Sequence, residues 1–387
     1  MAKTSVGIVH QFFAHYNEPI LKELSSSNQY EYWFVGDKID SSEDRIPAAD
    51  ITNLSNFVYT PTALVGKILF QQGLLRFALR KNIDVIIYPG AVQSISTWFS
   101  AILARLMGKK VFYWSHGWTH DDTSIKNAFR CNYYHIANGG MMLYGTRARE
   151  IGIKKGFDPN RLYVIYNSLD YEQCKSIRQE IIHSELELVR REYFTNPTLP
   201  MVICISRLVK KRRVELLLGA LKTLQNRGYG INGLILGDGA EKNALQKIAD
   251  ELELPVRFLG AQYDEKILAR LFMASDITVV PGYLGLTAIH SLGYGTPVIA
   301  NDAPEENAPE WEAVQPGING DHYKYGDVED LANKIFQWTQ SNKVDKDELR
   351  ARCIQTVEQH YTPKAQREAI EYALSGKPAS GLLKVQE

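Results

Sequence analysis

Two places in the chain gather residue types able to hold an anion. In 276–302, an apolar run (Ile277 to Val280) leads to a Pro-Gly turn, a Gly285-Leu286-Thr287 helix start, one helix, a Gly-Tyr-Gly-Thr-Pro break and a second apolar run, Val298 to Ala300. Strand, turn, helix and strand in that order put the loop and the helix N-terminus at the carboxyl end of a buried strand. Open α/β sheets bind ligands there, and unpaired helix N–H groups suit a phosphate. The second place is Arg207 with the run Lys210 to Arg213, just before a helical pattern. Cations at a helix start oppose the macrodipole, so contact with an anion accounts for them better than a merely solvated surface. Gly237 and Gly239 flank Asp238 in a turn whose ordinary role is structural. His116 follows the apolar run Val111 to Trp114, and His10, Gln11, His15 and Tyr16 follow the first run; for these last four, ordinary loop polarity is an equal account.

The elements that must position these residues alternate. Apolar runs at Ser5–Val9, in EYWFVGD, DVIIYPG, KKVFYWSHG and RLYVIYNSLD, and again in MVICISRL, GLILGDG and PVRFLG, are separated by helical patterns at 64–81, 94–107, 147–155, 174–191, 213–227, 240–253 and 264–274. Alternation of this kind predicts parallel sheets with helices on both faces. The polar, proline-bearing text around 193–200 reads as a linker. It divides the chain into a domain over 1–195, a second over 200–365, and a C-terminal segment, 366–387, expected to pack back on the first. The later helical patterns are 328–340 and 345–373.

Composition narrows the classes. A chain of 387 residues that is 45% hydrophobic can bury two cores, and equal numbers of basic and acidic residues (44 each) give no field that would attract nucleic acid. Four widely spaced cysteines match neither a zinc signature nor a disulfide framework. The start of the chain does not read as a signal peptide, and no apolar run is long enough to cross a bilayer. A cytoplasmic protein is the expectation.

Several of these segments, in this order and spacing, resemble one family. ISRLVKKRRVELLLGAL, ILGDGAEKNAL and ASDITVVPG…LGLTAIHSLGYGTPVIAND are similar to the donor-binding half of the retaining glycosyltransferases of family 4, and KKVFYWSHG, LYGTRAREIGIKKGFD and RLYVIYNSLD to the other half. The resemblance implies an α/β chain of GT-B fold, two tandem Rossmann-like parallel-sheet domains with an interdomain cleft, the first for an acceptor and the second for a nucleotide-sugar. It implies a metal-independent hexosyltransferase acting on a glycan or lipid-linked saccharide in polysaccharide or glycoconjugate biosynthesis, with no cofactor beyond the donor substrate. Under it Arg207 and Arg212, helped by Lys211, stabilise charge developing on the donor phosphates. Gly237, Gly282, Gly285, Leu286, Thr287 and His290 line the donor, and His116 meets the donor sugar or places the acceptor, with His10, Gln11, His15 and Tyr16 beside it. The family carries two glutamates where this chain has Gly282 and His290. In NAPEWEAVQPGING, either Glu310 or Glu312 corresponds to a further family acid.

The departure at Gly282 and His290 keeps two alternatives open, a catalytically weakened sugar-nucleotide-binding or scaffold subunit and, behind it, a sugar-nucleotide epimerase. A single Asp-x-Asp, Asp345 to Asp347, reads as solvated surface and not as a metal site. In LVGKILFQQGLLRFALRK an apolar stripe accompanies Lys67, Arg76, Arg80 and Lys81. That is either a core helix with a basic outer face or a helix lying on the inner face of an anionic membrane.

Overall fold

A computed structural model describes residues 3–40, 46–52, 54, 56–119, 125–340 and 345–386. The chain forms two compact units, one of residues 1–169 with 360–387 and one of residues 170–359. Strands β1 (Thr4–Phe12), β2 (Tyr30–Asp37), β3 (Phe57–Tyr59), β4 (Thr62–Val65), β5 (Ile68–Gln71), β6 (Val85–Pro89), β7 (Lys110–Ser115), β8 (Gly140–Leu143) and β9 (Leu162–Val164) belong to the first unit. Seven of them make a parallel sheet in the order β3-β2-β1-β6-β7-β8-β9, while β4 and β5 pair as an antiparallel hairpin. The order reverses between β1 and β6, which places the loops after those strands at a switch point.

The second unit holds β10 (Met201–Ile205), β11 (Asn232–Leu236), β12 (Val256–Gly260), β13 (Ile277–Val280), β14 (Val298–Asn301) and β15 (Gly320–Tyr323), all parallel, in the order β12-β11-β10-β13-β14-β15. Its central strands are apolar on both faces: helix Val214–Asn226 covers one side through Leu217, Leu221 and Leu224, and helix Glu265–Ala274 covers the other through Leu268, Leu271 and Phe272. The reversal here falls between β10 and β13, so Arg207 and the Pro281–Leu284 loop leave the sheet side by side.

Four expectations are corrected. Residues 64–81 are not one helix. Gly66 (φ 63°) and Gly73 (φ 86°) take left-handed backbone conformations that break it into the β4–β5 hairpin and a short helix, Leu74–Ala78. Residues 193–200 are not a linker, and the pattern at 174–191 is two helices, Tyr171–Glu180 and His183–Tyr193, that belong to the second unit. Their Cys174, Ile177, Leu186 and Val189 share a core with Met201, Leu234 and Phe272. Arg190 fastens the segment by donating to Leu199 O (3.2 Å) and Ala274 O (2.9 Å) and pairing with Asp276 (2.7 Å). The pattern at 345–373 is also two helices, Lys346–His360 and Pro363–Leu374. Pro363 restarts the chain at a helical first turn, capped by Thr362, whose hydroxyl accepts from Ala365 N (3.1 Å). That last helix and Ala379–Gln386 bury Ile370, Ala373, Leu374 and Leu382 against β1 and β2 side chains of the first unit. Helix Ile125–Tyr134 and strand β3 lie outside the elements read from the sequence.

Candidate functional site

In the second unit, the glycine turn is what holds the Arg207 loop. Gly237 (φ 135°) and Gly239 (φ 155°) lie so close to the Ser206–Leu208 backbone that a Cβ would stand 1.8 Å from Ser206 O and 2.3 Å from Leu208 O. Leu208 N donates to Asp238 O (2.8 Å), and Glu241 N donates to Leu208 O (3.0 Å). The glycines are therefore explained by backbone packing, which fixes where exposed Arg207 leaves the sheet.

After Arg207 the chain makes a single 3-10 turn, Lys210–Arg212, and Arg213 (φ 50°) turns it into helix Val214–Asn226. The turn sits directly on the loop after β13. A Cβ on Gly282 would lie 2.4 Å from Lys211 O and 2.6 Å from Arg212 C, so glycine is demanded by contact with backbone and not by flexibility. Arg212 donates to Tyr283 O and lies over the Tyr283 ring, 4.9 Å from its centroid, with Lys211 Nζ 3.9 Å above the same ring. Burial pushes the Arg212 guanidinium below the ordinary arginine range, the neighbouring charge of Arg207 adding to the shift while Tyr283 and Cys204 oppose it. The two arginines thus feel each other, an arrangement that an anion between them would relieve.

A buried amide pair anchors this loop from behind, and sequence reasoning missed it. Asn301, at the end of β14, donates to Gly282 O (2.7 Å), and Asn307 donates to Asn301 Oδ1 (2.9 Å) while accepting from Leu284 N (2.8 Å). Tyr323 donates to Pro281 O (2.6 Å) and Trp311 Nε1 to Asn301 O (2.7 Å). An asparagine closing an otherwise apolar strand was the available signal. Beside the pair, Glu310 is buried on the 3-10 segment Pro309–Ala313, whereas Glu312 is half-buried. Burial first and the Glu310 charge second raise the Tyr283 hydroxyl, so the Glu310 charge is felt at Tyr283. Gly285 and Leu286 lead into helix Thr287–Gly293, whose Thr287 hydroxyl donates to Ile205 O (3.5 Å) at the end of β10.

His290 lies one turn further on, and its imidazole is engaged inside the unit. Its Nε2 is 2.6 Å from Glu265 Oε1, the same oxygen that accepts from the Tyr294 hydroxyl (2.7 Å), and the ring meets Phe272 edge-on. Burial pushes Glu265 upward, but the bonds from His290 and Tyr294 outweigh it and hold the carboxyl below its usual range. The acid that meets this helical position stands on the neighbouring helix, Glu265–Ala274.

The first unit carries the other candidates. His116 is exposed at the end of β7, its ring 4.9 Å from that of Tyr144. Gly117 (φ 65°) follows because a Cβ would meet Leu143 and Ala148 at 2.8 and 3.2 Å. Gly90 packs on Ser115, and Tyr134 donates to Gly90 O (3.3 Å) and Gly117 O (3.4 Å), so the loops after β6 and β7 are tied to each other. His10 is packed between Phe13 and Trp114, and burial pushes its imidazole down to about 4, so it is neutral at pH 7. Gln11 accepts through its carbonyl from the Thr62 hydroxyl (3.4 Å), and His15 stacks edge-on against Tyr16 with Nδ1 3.3 Å from Pro47 O. Among the described residues, no group of three or more His, Cys, Asp or Glu is arranged to hold a metal ion.

Two tandem parallel-sheet units of this topology define the GT-B architecture of glycosyltransferases. Solved structures agree: a glycosyltransferase from Rickettsia africae (TM-score 0.73, 16% identity, 97% of this chain and 99% of that one) and Anabaena HepE in complex with UDP (TM-score 0.70, 15% identity, 96% and 99%) share the fold. More particularly, residues 187–360 match the family described as Glycosyl transferases group 1. Curated relatives include a lipopolysaccharide core biosynthesis glycosyltransferase of Rhizobium meliloti, 30% identical over 185 residues (46% of this chain, 51% of that protein), and a glycogen synthase of Leptothrix cholodnii, 35% identical over 133 residues (33% and 25%). The chain spans a quarter to about half of the length of these relatives.

Proposed function

We propose that the protein is a retaining, metal-independent glycosyltransferase of family 4 that moves a sugar from a nucleotide-sugar to a saccharide or lipid-linked acceptor. The observation that carries the reading is the pairing of Arg207 and Arg212 at the switch point of the second sheet, next to the start of helix Thr287–Gly293. Two cations and a helix N-terminus at one sheet edge are what a departing diphosphate requires, because most of the barrier to breaking the sugar–phosphate bond is charge developing on its oxygens. Glu310, which is buried, is the acid assigned to the sugar, and His116, His10, Gln11, His15 and Tyr16 are assigned to acceptor or sugar placement. The Anabaena structures with UDP and with UDP-glucose, and relatives named for lipopolysaccharide core and glycogen synthesis, support a nucleotide-sugar donor and a glycan product.

Hydrolysis and transfer assays across UDP-, GDP- and dTDP-sugars test this. At least one donor is expected to turn over, and Arg207→Ala is expected to lose about 10²–10³-fold in kcat, the usual cost of removing one fixed donor to a developing charge. Binding of a donor without turnover, given saccharide acceptors, would replace the proposal with a binding or scaffold role. Isomerised donor in the absence of acceptor would replace it with epimerisation.

A further inference from the structure

Helix Ile95–Leu106 is built inside out. Its inner face is Ser96, Thr97, Ser100, Ala101 and Ala104, all buried, while Ile95, Phe99, Ile102 and Leu106 form an outward stripe. Phe99 is 61% and Leu106 79% exposed, far from the burial such side chains usually reach. The helix cannot roll to hide the stripe, because its polar face is committed by hydrogen bonds. Tyr88 and Ser100 hydroxyls are 2.7 Å apart, Ser100 donates to Leu74 O (3.0 Å), and Gln71 N donates to Ser96 Oγ (2.9 Å).

The same bonds seat the β4–β5 hairpin and helix Leu74–Ala78 beside it, and these add to the surface. Strand alternation turns Leu69 and Gln71 inward and leaves Ile68 and Phe70 outward, joined by Leu64 on β4 and by Leu75 and Leu79 one helical turn apart. An apolar surface drawn from three adjoining elements exceeds the scatter of single exposed residues normal on a soluble domain. Charge selects its occupant. Residues 62–110 contain seven lysines and arginines and a single acid, Asp84, whose carboxylate accepts from Ser5 N (3.0 Å). Lys67 stands in the hairpin turn between Leu64 and Ile68, and Arg76 and Arg105 are exposed on the two helices. A second copy of the chain would set these cations against one another, whereas a bilayer with anionic headgroups accepts both the stripe and its charges.

We propose that this face of the first unit docks the protein on an anionic membrane surface, Phe70, Phe99 and Leu106 entering the headgroup boundary and Lys67, Arg76 and Arg105 meeting lipid phosphates. The surface does not depend on the donor reading, because its test reads membrane binding and not turnover. The full chain is sedimented with phosphatidylcholine vesicles with and without about 30 mol% phosphatidylglycerol. Binding is expected only with the anionic lipid, falling as salt rises from about 0.05 to 0.5 M as the Debye length shrinks. F99S/L106S is expected to weaken it at least tenfold, and K67E/R105E by about fivefold or more per residue. Both pairs are exposed, so unchanged melting temperature and donor hydrolysis are expected. No binding to anionic vesicles, or binding that both variants retain, overturns the proposal. So does a concentration-dependent dimer by light scattering that F99S/L106S abolishes, since the face would then be a contact between copies.

Discussion

Gly282→Ala is the most informative single change in the second unit. The added Cβ would lie 2.4 Å from Lys211 O and 2.7 Å from Arg212 O, and ordinary contact begins at 3.4 Å. One backbone segment must therefore move by about 1 Å, and both are anchored, the 3-10 turn by Arg212 on Tyr283 and the loop by Asn301 on Gly282 O. Forced overpacking of this kind costs about 1–3 kcal/mol. For a unit of this size, that lowers Tm by roughly 2–10 °C. Under the proposed function the displacement also moves Arg212 off the donor phosphates, and an error of about 1 Å in a charged contact lowers turnover on the order of 10²-fold. Differential scanning calorimetry gives the first quantity and donor hydrolysis the second. Gly282→Glu is expected to fall further on both, although it introduces the acid that the resemblance to family 4 implies at this position. If Gly282→Ala melts like the parent and turns over at the same rate, or if the glutamate raises activity, the packing explanation of this glycine is wrong.

Asn301→Ala removes the donor to the Gly282 carbonyl and the acceptor of one Asn307 N–H in a buried site, with an expected loss of about 2–3 kcal/mol in urea unfolding. His10 supplies a pH dependence: a neutral imidazole whose folded value is about 4 against an ordinary 6.5 means the unfolded chain binds the proton first, so stability is full above pH 6.5 and falls as pH drops toward 4. Between pH 7 and 5 that loss is on the order of 2 kcal/mol, and His10→Gln should flatten it in chemical unfolding curves. Cys174, Cys204 and Cys353 are buried with thiols pushed up to about 12, so in the native protein a thiol reagent is expected to titrate Cys131 alone, rising to four groups in denaturant.

Both sheets were legible because buried parallel strands read as apolar runs, and 276–302 folds as its residues dictate, strand Ile277–Val280, helix Thr287–Gly293 and strand Val298–Asn301. What failed was punctuation. Leu64–Lys81 has a helical count of apolar residues, yet two left-handed glycines outweigh it, and the apolar surface lies on a hairpin and on the next helix. Residues 193–200 look like a linker by composition, and only long-range contacts, such as Arg190 reaching back to Asp276 and Arg257 Nε donating to Tyr193 O (3.1 Å), tie them down. At the site, residue types located Arg207, Arg212 and Gly282 but not the reason for them. The clash that requires Gly282 and the Asn301–Asn307 pair behind it are long-range contacts, as is the Glu265 carboxylate 2.6 Å from His290.

The route of the chain carries a consequence for its synthesis. The second unit is continuous in sequence, while the first is completed by Pro363–Leu374 and Ala379–Gln386. At ribosomal speeds of about 5–20 residues per second, roughly 10–40 s separate the emergence of residue 169 from that of residue 360. For that interval the inner faces of Ile20, Leu24 and Tyr32 await Ile370 and Leu374, so the first unit to be translated is the last to close.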